Sequence, residues 1–233
     1  MEKKKLFEKL LGFYGGQNWW PVTSEGSLKP TYEPRKCLSE KQKFEISVGA
    51  ILTQNTSWKN VEKAISNLHK AGLLSVKGIC ECPQKRLALL LKPSGYYNQK
   101  AKKVKFFASH LKKSYGGSIE KMLSLSLPQL RRELLSLHGI GPETADSIIL
   151  YAGGKPVFVV DAYTKRIAER FYGKKFSSYV ELQAFFEAGL EKDAELFSEF
   201  HALLVEHGKR FCTKAKPKCP ECPINKNCWF HIQ

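Results

Sequence analysis

Three observations predict an all-α fold for this 233-residue chain. Apolar residues recur at three- and four-residue spacing over most of its length. Short Gly and Pro breakers separate those stretches. One run alone, Val157-Phe158-Val159-Val160, has the composition of a strand.

Taken in order, residues 1–15 suit a short basic amphipathic helix. Residues 16–38 read as irregular, because Gly15-Gly16, Pro21, Gly26, Pro30 and Pro34 oppose regular structure. From about Lys41 the helical period sets in with Phe44, Val48, Ile51 and Leu52. It returns in Val61, Ala64, Ile65 and Leu68, and again in Ala101, Val104, Phe107, Ala108 and Leu111. Leu130, Leu134 and Leu135 continue it, followed by Ala145, Ile148, Ile149 and Ala152. Breakers fall at Gly72, Gly78, Pro83, Pro93-Ser94-Gly95, Gly116-Gly117 and Gly139–Gly141. Val157–Val160 has no second run to pair with and reads as a buried connector. Helices resume near Ala162, over 181–190 and over 196–209.

Composition bounds the partners. The chain has 38 Lys+Arg against 22 Asp+Glu, a formal charge of +16, and the positive charge is clustered. A polyanion is the simplest partner for such a surface. No apolar run approaches the ~18–20 residues that span a bilayer. Met1–Glu8 carries charges without an apolar core, so no secretory signal is expected. A cytoplasmic place follows, at the nucleoid if the source is bacterial or archaeal. Seven cysteines in a reducing compartment hold metal more often than they form disulfides.

Leu137-His138-Gly139-Ile140-Gly141-Pro142-Glu143-Thr144-Ala145 is the most informative segment. Pro128–Leu137 reads as a helix, Gly139-Ile140-Gly141 as a tight turn, and Pro142 onward as a second helix. Both prolines suit a first helical turn, where a missing N–H costs nothing. The two glycines permit positive φ and leave N–H groups open. With the second helix's N-terminus they would cradle one phosphate, while Ile140 falls inward. Such a contact positions a nucleic acid without reading its sequence. Farther on, Asp161 ends an apolar run before a helix and suits the N-cap, where helix-end potential favours its ionised form. Cys212, Cys219, Cys222 and Cys228 are spaced C-x6-C-x2-C-x5-C. Four thiolates fit either a [4Fe–4S] cluster or structural zinc, and zinc ribbons usually show two close pairs. Lys214, Lys216 and Lys218 would project from the closed loop toward phosphates. Cys37, Cys80 and Cys82 read as ordinary thiols.

The hairpin followed by Val159-Val160-Asp161 resembles the helix-hairpin-helix DNA glycosylases of the endonuclease III superfamily. The resemblance runs from about Phe44 to Cys228. It includes Ile51-Leu52-Thr53-Gln54-Asn55 and Gly95-Tyr96-Tyr97-Asn98-Gln99-Lys100-Ala101, both similar to DNA-facing loops. It implies base excision repair of double-stranded DNA containing damaged bases, by a monomeric enzyme with no membrane partner. It implies Asp161 as the catalytic carboxylate, which would stabilise an oxocarbenium-like sugar and orient the attacking water. It implies a [4Fe–4S] cluster on the four cysteines, and it allows a monovalent cation at the hairpin. Gln54, Asn55, Tyr96, Tyr97, Gly139, Gly141, Thr144, Lys214 and Lys216 become the DNA-binding candidates. Gln54 and Tyr96, or their neighbours Asn55 and Tyr97, would fill the gap left by a flipped base.

Bifunctional members carry a nucleophilic lysine two residues after the second hairpin glycine. Glu143 stands there, and a carboxylate forms no Schiff base. A hydrolytic enzyme without lyase activity is therefore expected. Asn18-Trp19-Trp20-Pro21 supplies aromatic faces that attract a cationic base. With Glu143 it resembles the endonuclease-III-like 3-methyladenine DNA glycosylases, which implies Trp19, Trp20, Pro21, Phe44 and Glu143 as base-pocket residues. At least one member of that group lacks an iron–sulfur cluster, whereas this chain keeps four cysteines. The expected architecture is a helical barrel over 41–154, with the helix-hairpin-helix at about 128–152. Residues 1–40 and 155–233 would form a second helical domain with the cluster loop (212–228), and the active-site cleft would lie between the two. Rival readings are an endonuclease III-like glycosylase/AP lyase for oxidised pyrimidines and a non-catalytic damaged-DNA-binding module.

Overall fold

The computed structural model describes residues 2–33 and 37–233. Pro34, named above as a breaker, lies outside the described residues. In chain order the elements begin with α1 (Lys3–Tyr14), β1 (Val22–Thr23), β2 (Pro30–Thr31), α2 (Glu40–Leu52), α3 (Trp58–Lys70), α4 (Val76–Glu81) and α5 (Gln84–Leu90). They continue with α6 (Tyr97–Tyr115), α7 (Ile119–Leu123), α8 (Leu127–Ser136), α9 (Pro142–Ser147), a π-helical turn (Ile148–Ala152), α10 (Ala162–Tyr172), α11 (Tyr179–Glu187), α12 (Ala194–Arg210) and α13 (Trp229–Ile232). The fold is all-α apart from one antiparallel pair, in which Val22 faces Thr31 and Thr23 faces Pro30. That pair corrects the irregular reading of residues 16–38. Two residues per strand, one of them proline, leave no alternation to detect.

The chain divides into two compact units. One comprises Trp20–Gly154; the other comprises the chain up to Trp19 together with Lys155–Gln233. The first break therefore falls about twenty residues before the expected boundary at 40/41. The reason is local packing: Thr23 donates both its N–H and its hydroxyl to Oε1 of buried Glu45, each at 2.9 Å. His69 Nε2 meets the other oxygen at 2.9 Å. The strand pair is thereby tied to α2 and α3.

Within the Trp20–Gly154 unit, α2 is the central helix. Every residue from Phe44 to Leu52 is buried, so its sequence shows little amphipathic contrast. Ser39 and Gln42 close a capping box at its start. Val48, Ile51, Val61, Ile65, Val104, Leu111, Ile148 and Ile149 are fully excluded from water and form the core around it.

In the other unit, α12 packs against α1 and α10. Its core is aromatic. Phe158 lies parallel to Phe186 at 4.5 Å and edge-on to Phe197 and Phe200. The Val157–Val160 segment is buried and extended without forming a sheet. Side chains of α11 satisfy its backbone instead: Glu187 accepts from Phe158 N at 2.9 Å, and Gln183 donates to Phe158 O at 2.7 Å. Replacing Phe158 by Ala removes a fully buried ring from four-way aromatic packing. The expected cost is about 3–5 kcal/mol, measured by urea unfolding.

Candidate functional site

The hairpin sits at the end of α8. Leu137 and Ile140 are buried beneath it, and Ile140 N donates to Leu137 O at 3.1 Å. Arg131 on α8 grips the buried Asp146 on α9 through Nε and Nη2, at 2.7 and 3.1 Å. A two-point contact of this kind fixes angle as well as distance between the helices. The two glycines differ. Gly139 has φ +84, and a Cβ there would fall 2.6–2.7 Å from the Lys103 side chain. Gly141 has φ −95, so positive φ is required at only one of the two positions. A Cβ on Gly141 would meet nothing within 4 Å; its value is an uncovered approach to the first turn of α9. Glu143 lies exposed in that turn, where the helix dipole favours a carboxylate.

Two loops accompany the hairpin in this unit. Gln54 points at the hairpin itself, donating to Gly139 O at 3.0 Å and to Thr144 Oγ1 at 3.2 Å. Lys103 donates to its Oε1. Gln54 and Thr144 are thus braces in this structure, and the Thr144 hydroxyl is turned inward. Asn55 and Tyr96 are exposed and adopt positive φ, 54 and 44. Left-handed backbone at non-glycine residues is strained and concentrates at functional positions. Tyr97 is half-buried and opens α6.

Lys100 differs most from its sequence context. It sits in a basic run that suggests a solvated face, yet it is only 2% exposed. Its Nζ donates to Leu52 O at 2.9 Å and Ser94 O at 2.6 Å, pinning the end of α2 to the second loop. Burial, reinforced by Lys103, pushes its pKa down to about 8.

The two tryptophans fall in different units. Trp20 packs on Gly49, where a Cβ would come within 3.1 Å of its ring. It stands edge-on to Trp58 at 5.3 Å and tilted to Tyr151 at 5.4 Å. Pro21 is buried beside it. Trp58 and Tyr151 were not evident from sequence, since lone aromatics in helical periods read as core. Phe44 is not brought to this group: it is buried and stacks on Phe107 at 6.2 Å. In the other unit Lys209 lies over the Trp19 ring at 5.9 Å. Glu199 accepts from the backbone N–H of Gln17 just before it. Burial pushes the Glu199 carboxyl up, opposed by the N–H groups of Gln17 and Asn18.

Asp161 is the N-cap of α10. Oδ1 accepts from Thr164 N at 2.7 Å, and Oδ2 lies 3.8 Å from His201 Nε2. Burial alone would push this carboxyl up. The His201 imidazole and the Thr164 N–H overcome it and hold the carboxyl below its ordinary value. No motif marks His201, which lies on another helix.

All four C-terminal cysteines line one small cavity, together with Arg170, His207 and Phe230. Burial and the neighbouring thiols push Cys222 up to about 11. Tyr14 hydroxyl meets His207 Nδ1 at 2.9 Å, and His207 Nε2 lies 3.6 Å from Cys222 Sγ. Arg170 spans the loop, donating to Thr213 O at 2.7 Å and Lys214 O at 2.9 Å. Lys214 and Lys216 are exposed. Among the described residues, no three of His, Cys, Asp and Glu converge as ligands of a single ion.

A helical protein with a glycine hairpin, and with a capped aspartate some twenty residues beyond it, is a helix-hairpin-helix protein. The family model described as HhH-GPD superfamily base excision DNA repair protein matches residues 48–192, more than half of the chain. The chain belongs to that superfamily. The Methanocaldococcus jannaschii protein MJ1434, named provisionally as a DNA repair glycosylase, is 44% identical over 227 residues, 96% of this chain and 94% of its own. Endonuclease III of Thermotoga maritima is 29% identical over 192 residues, covering 82% and 85%. Among solved structures, the H. pylori 3-methyladenine DNA glycosylase MagIII bound to 1,N6-ethenoadenine gives a TM-score of 0.72 at 29% identity, over 90% of this chain and 98% of that one. A trapped endonuclease III–DNA covalent intermediate gives 0.76 at 20% identity, covering 100% and 98%, a likeness of fold.

Lys100→Met leaves two buried carbonyls without their donor. We expect a loss of about 1–3 kcal/mol in urea unfolding at pH 7. The folded pKa of about 8 lies below the ordinary 10.5. Between those values the unfolded chain keeps a proton that the folded chain releases, so wild-type stability gains with pH there. Below pH 8 this group contributes no slope, and the Met variant lacks the gain altogether.

Proposed function

We propose that this protein is a monofunctional DNA glycosylase that hydrolytically excises alkylated purines such as 3-methyladenine from double-stranded DNA. Glu143 carries this reading. It occupies the hairpin position at which a lysine would make the enzyme a lyase, and a carboxylate has no amine with which to form a Schiff base. A negative group at that position also favours a cationic base. The Trp20–Trp58–Tyr151 aromatic group and the 29% identity to the MagIII structure support the same substrate class.

The chemistry asked of the chain is modest. An alkylated purine already bears positive charge and leaves as a neutral base when its bond to C1′ breaks, so no general acid is needed. Asp161, held ionised, stabilises the positive charge that develops on the sugar. Its carboxylate orients the water that adds to C1′ and takes the proton that water gives up, passing it to solvent. The hairpin glycines, with Asn55, Tyr96, Lys214 and Lys216 on the surface, supply contacts to phosphates and to the gap left by the flipped base.

The cysteine cavity fits a [4Fe–4S] cluster. Four soft thiols surround it, and burial with the neighbouring thiols makes the ionised forms of Cys222 and Cys228 costly unless positive charge is supplied. Cys212, Cys219, Cys222 and Cys228 would bind it, and the cluster would stiffen the loop bearing Lys214 and Lys216. The four cysteines also give the rival reading its support, a glycosylase/AP lyase like endonuclease III.

Two outcomes are expected. Chromatography of bases from methylated DNA detects 3-methyladenine released by the wild type and none released by Asp161→Asn, while borohydride traps no covalent adduct with either. Trapping with the wild type would favour the lyase. Separately, anaerobically prepared protein absorbs near about 400 nm, and Cys219→Ser loses that band.

A further inference from the structure

We propose that His201 is a positioning residue for the reaction: from α12 it sets where Oδ2 of Asp161 points. This inference rests on Asp161 being the catalytic carboxylate.

The two oxygens of Asp161 have separate neighbours. Oδ1 accepts the Thr164 N–H at 2.7 Å and is committed to capping α10. Oδ2 is therefore the oxygen left for chemistry, and His201 Nε2 faces it at 3.8 Å. Both side chains are largely shielded, 14% and 9% exposed. Screening by water is weak at such a site, so a nearby imidazole has a large influence on the carboxylate.

His201 also has little freedom to move. It sits in the middle of α12, a 17-residue helix, between buried Phe200 and the buried run Ala202, Leu203, Leu204. That helix packs against both α10 and α1. The cap sets where the aspartate begins, and the histidine sets where its second oxygen points. The cap fixes one oxygen by a hydrogen bond, and the histidine gives the other a fixed neighbour. The direction of the Asp161 pKa agrees with this role, since burial opposes ionisation and the imidazole offsets it.

The test compares wild type, His201→Ala, His201→Gln and Asp161→Asn by single-turnover base release from methylated DNA. DNA affinity is read separately on a duplex carrying an uncleavable abasic-site analogue. His201→Ala should slow release by about tenfold or more while its affinity stays within about twofold. His201→Gln keeps a polar side chain of similar reach on α12 and should recover most of the rate. A second measurement needs no DNA: a double-mutant cycle of Asp161→Asn and His201→Gln in urea unfolding should depart from additivity by at least about threefold in the unfolding constant. Wild-type rates in His201→Ala overturn the inference. So does a Gln variant as slow as the Ala variant with affinity lost in parallel, and so does an additive cycle. A wild type that releases no base overturns the glycosylase reading, and this inference with it.

Discussion

The hairpin depends on one buried contact, the bidentate grip of Arg131 on Asp146. Asp146 is fully excluded from water, and its two oxygens take both donors of one guanidinium. Removing Arg131 would strand the buried Asp146 carboxylate, at a cost of about 3–5 kcal/mol. With α8 and α9 held at a set angle, Ile140 can pack beneath the turn. Gly139 is forced into its left-handed backbone over Lys103, and the first turn of α9 stays uncovered. Gln54 and Lys103 then carry that geometry to the neighbouring loop, and Lys100 carries it from α2 to the loop beyond. The hairpin and its two loops are thus referenced to a few buried polar contacts rather than to apolar packing alone.

A second balance governs Asp161, the aspartate proposed as catalyst. A carboxylate is useful to a glycosylase only when ionised, and burial works against ionisation. Asp161 resolves the conflict with short-range partners, a backbone N–H from its own helix and an imidazole from another. The cysteine cavity shows the complementary case. There burial and the neighbouring thiols push Cys222 and Cys228 toward neutrality.

Much of the fold was legible because it is local. The periodicities of α3, α6, α8 and α10 are written in short windows, and the prolines at the starts of α8 and α9 mark helix entry. Asp161 was readable as a cap from its place between an apolar run and a helix. The strand pair was not legible, since two residues carry no period. The unit boundary at Trp19–Trp20 was missed because Glu45, which anchors Thr23, looks like any other helical glutamate. Lys100 was lost in a basic run, and only packing reveals that it alone turns inward to two carbonyls. Phe44 and Gln54 kept their predicted places on the chain while their side chains took other partners, Phe107 and the hairpin.

By itself the sequence determined what short-range chemistry can specify: helices, breakers, a glycine hairpin with Glu143 in place of lysine, a capped aspartate, four cysteines at set spacing and a strongly basic surface. These depend on residues a few positions apart, whose geometry the backbone dictates. Tertiary structure alone decided which side chains meet across long separations. It brought His201 to Asp161, Trp58 and Tyr151 to Trp20, and Arg131 to Asp146. Such meetings follow from how whole helices pack, and packing is a property of the summed core, which no short window of residues contains.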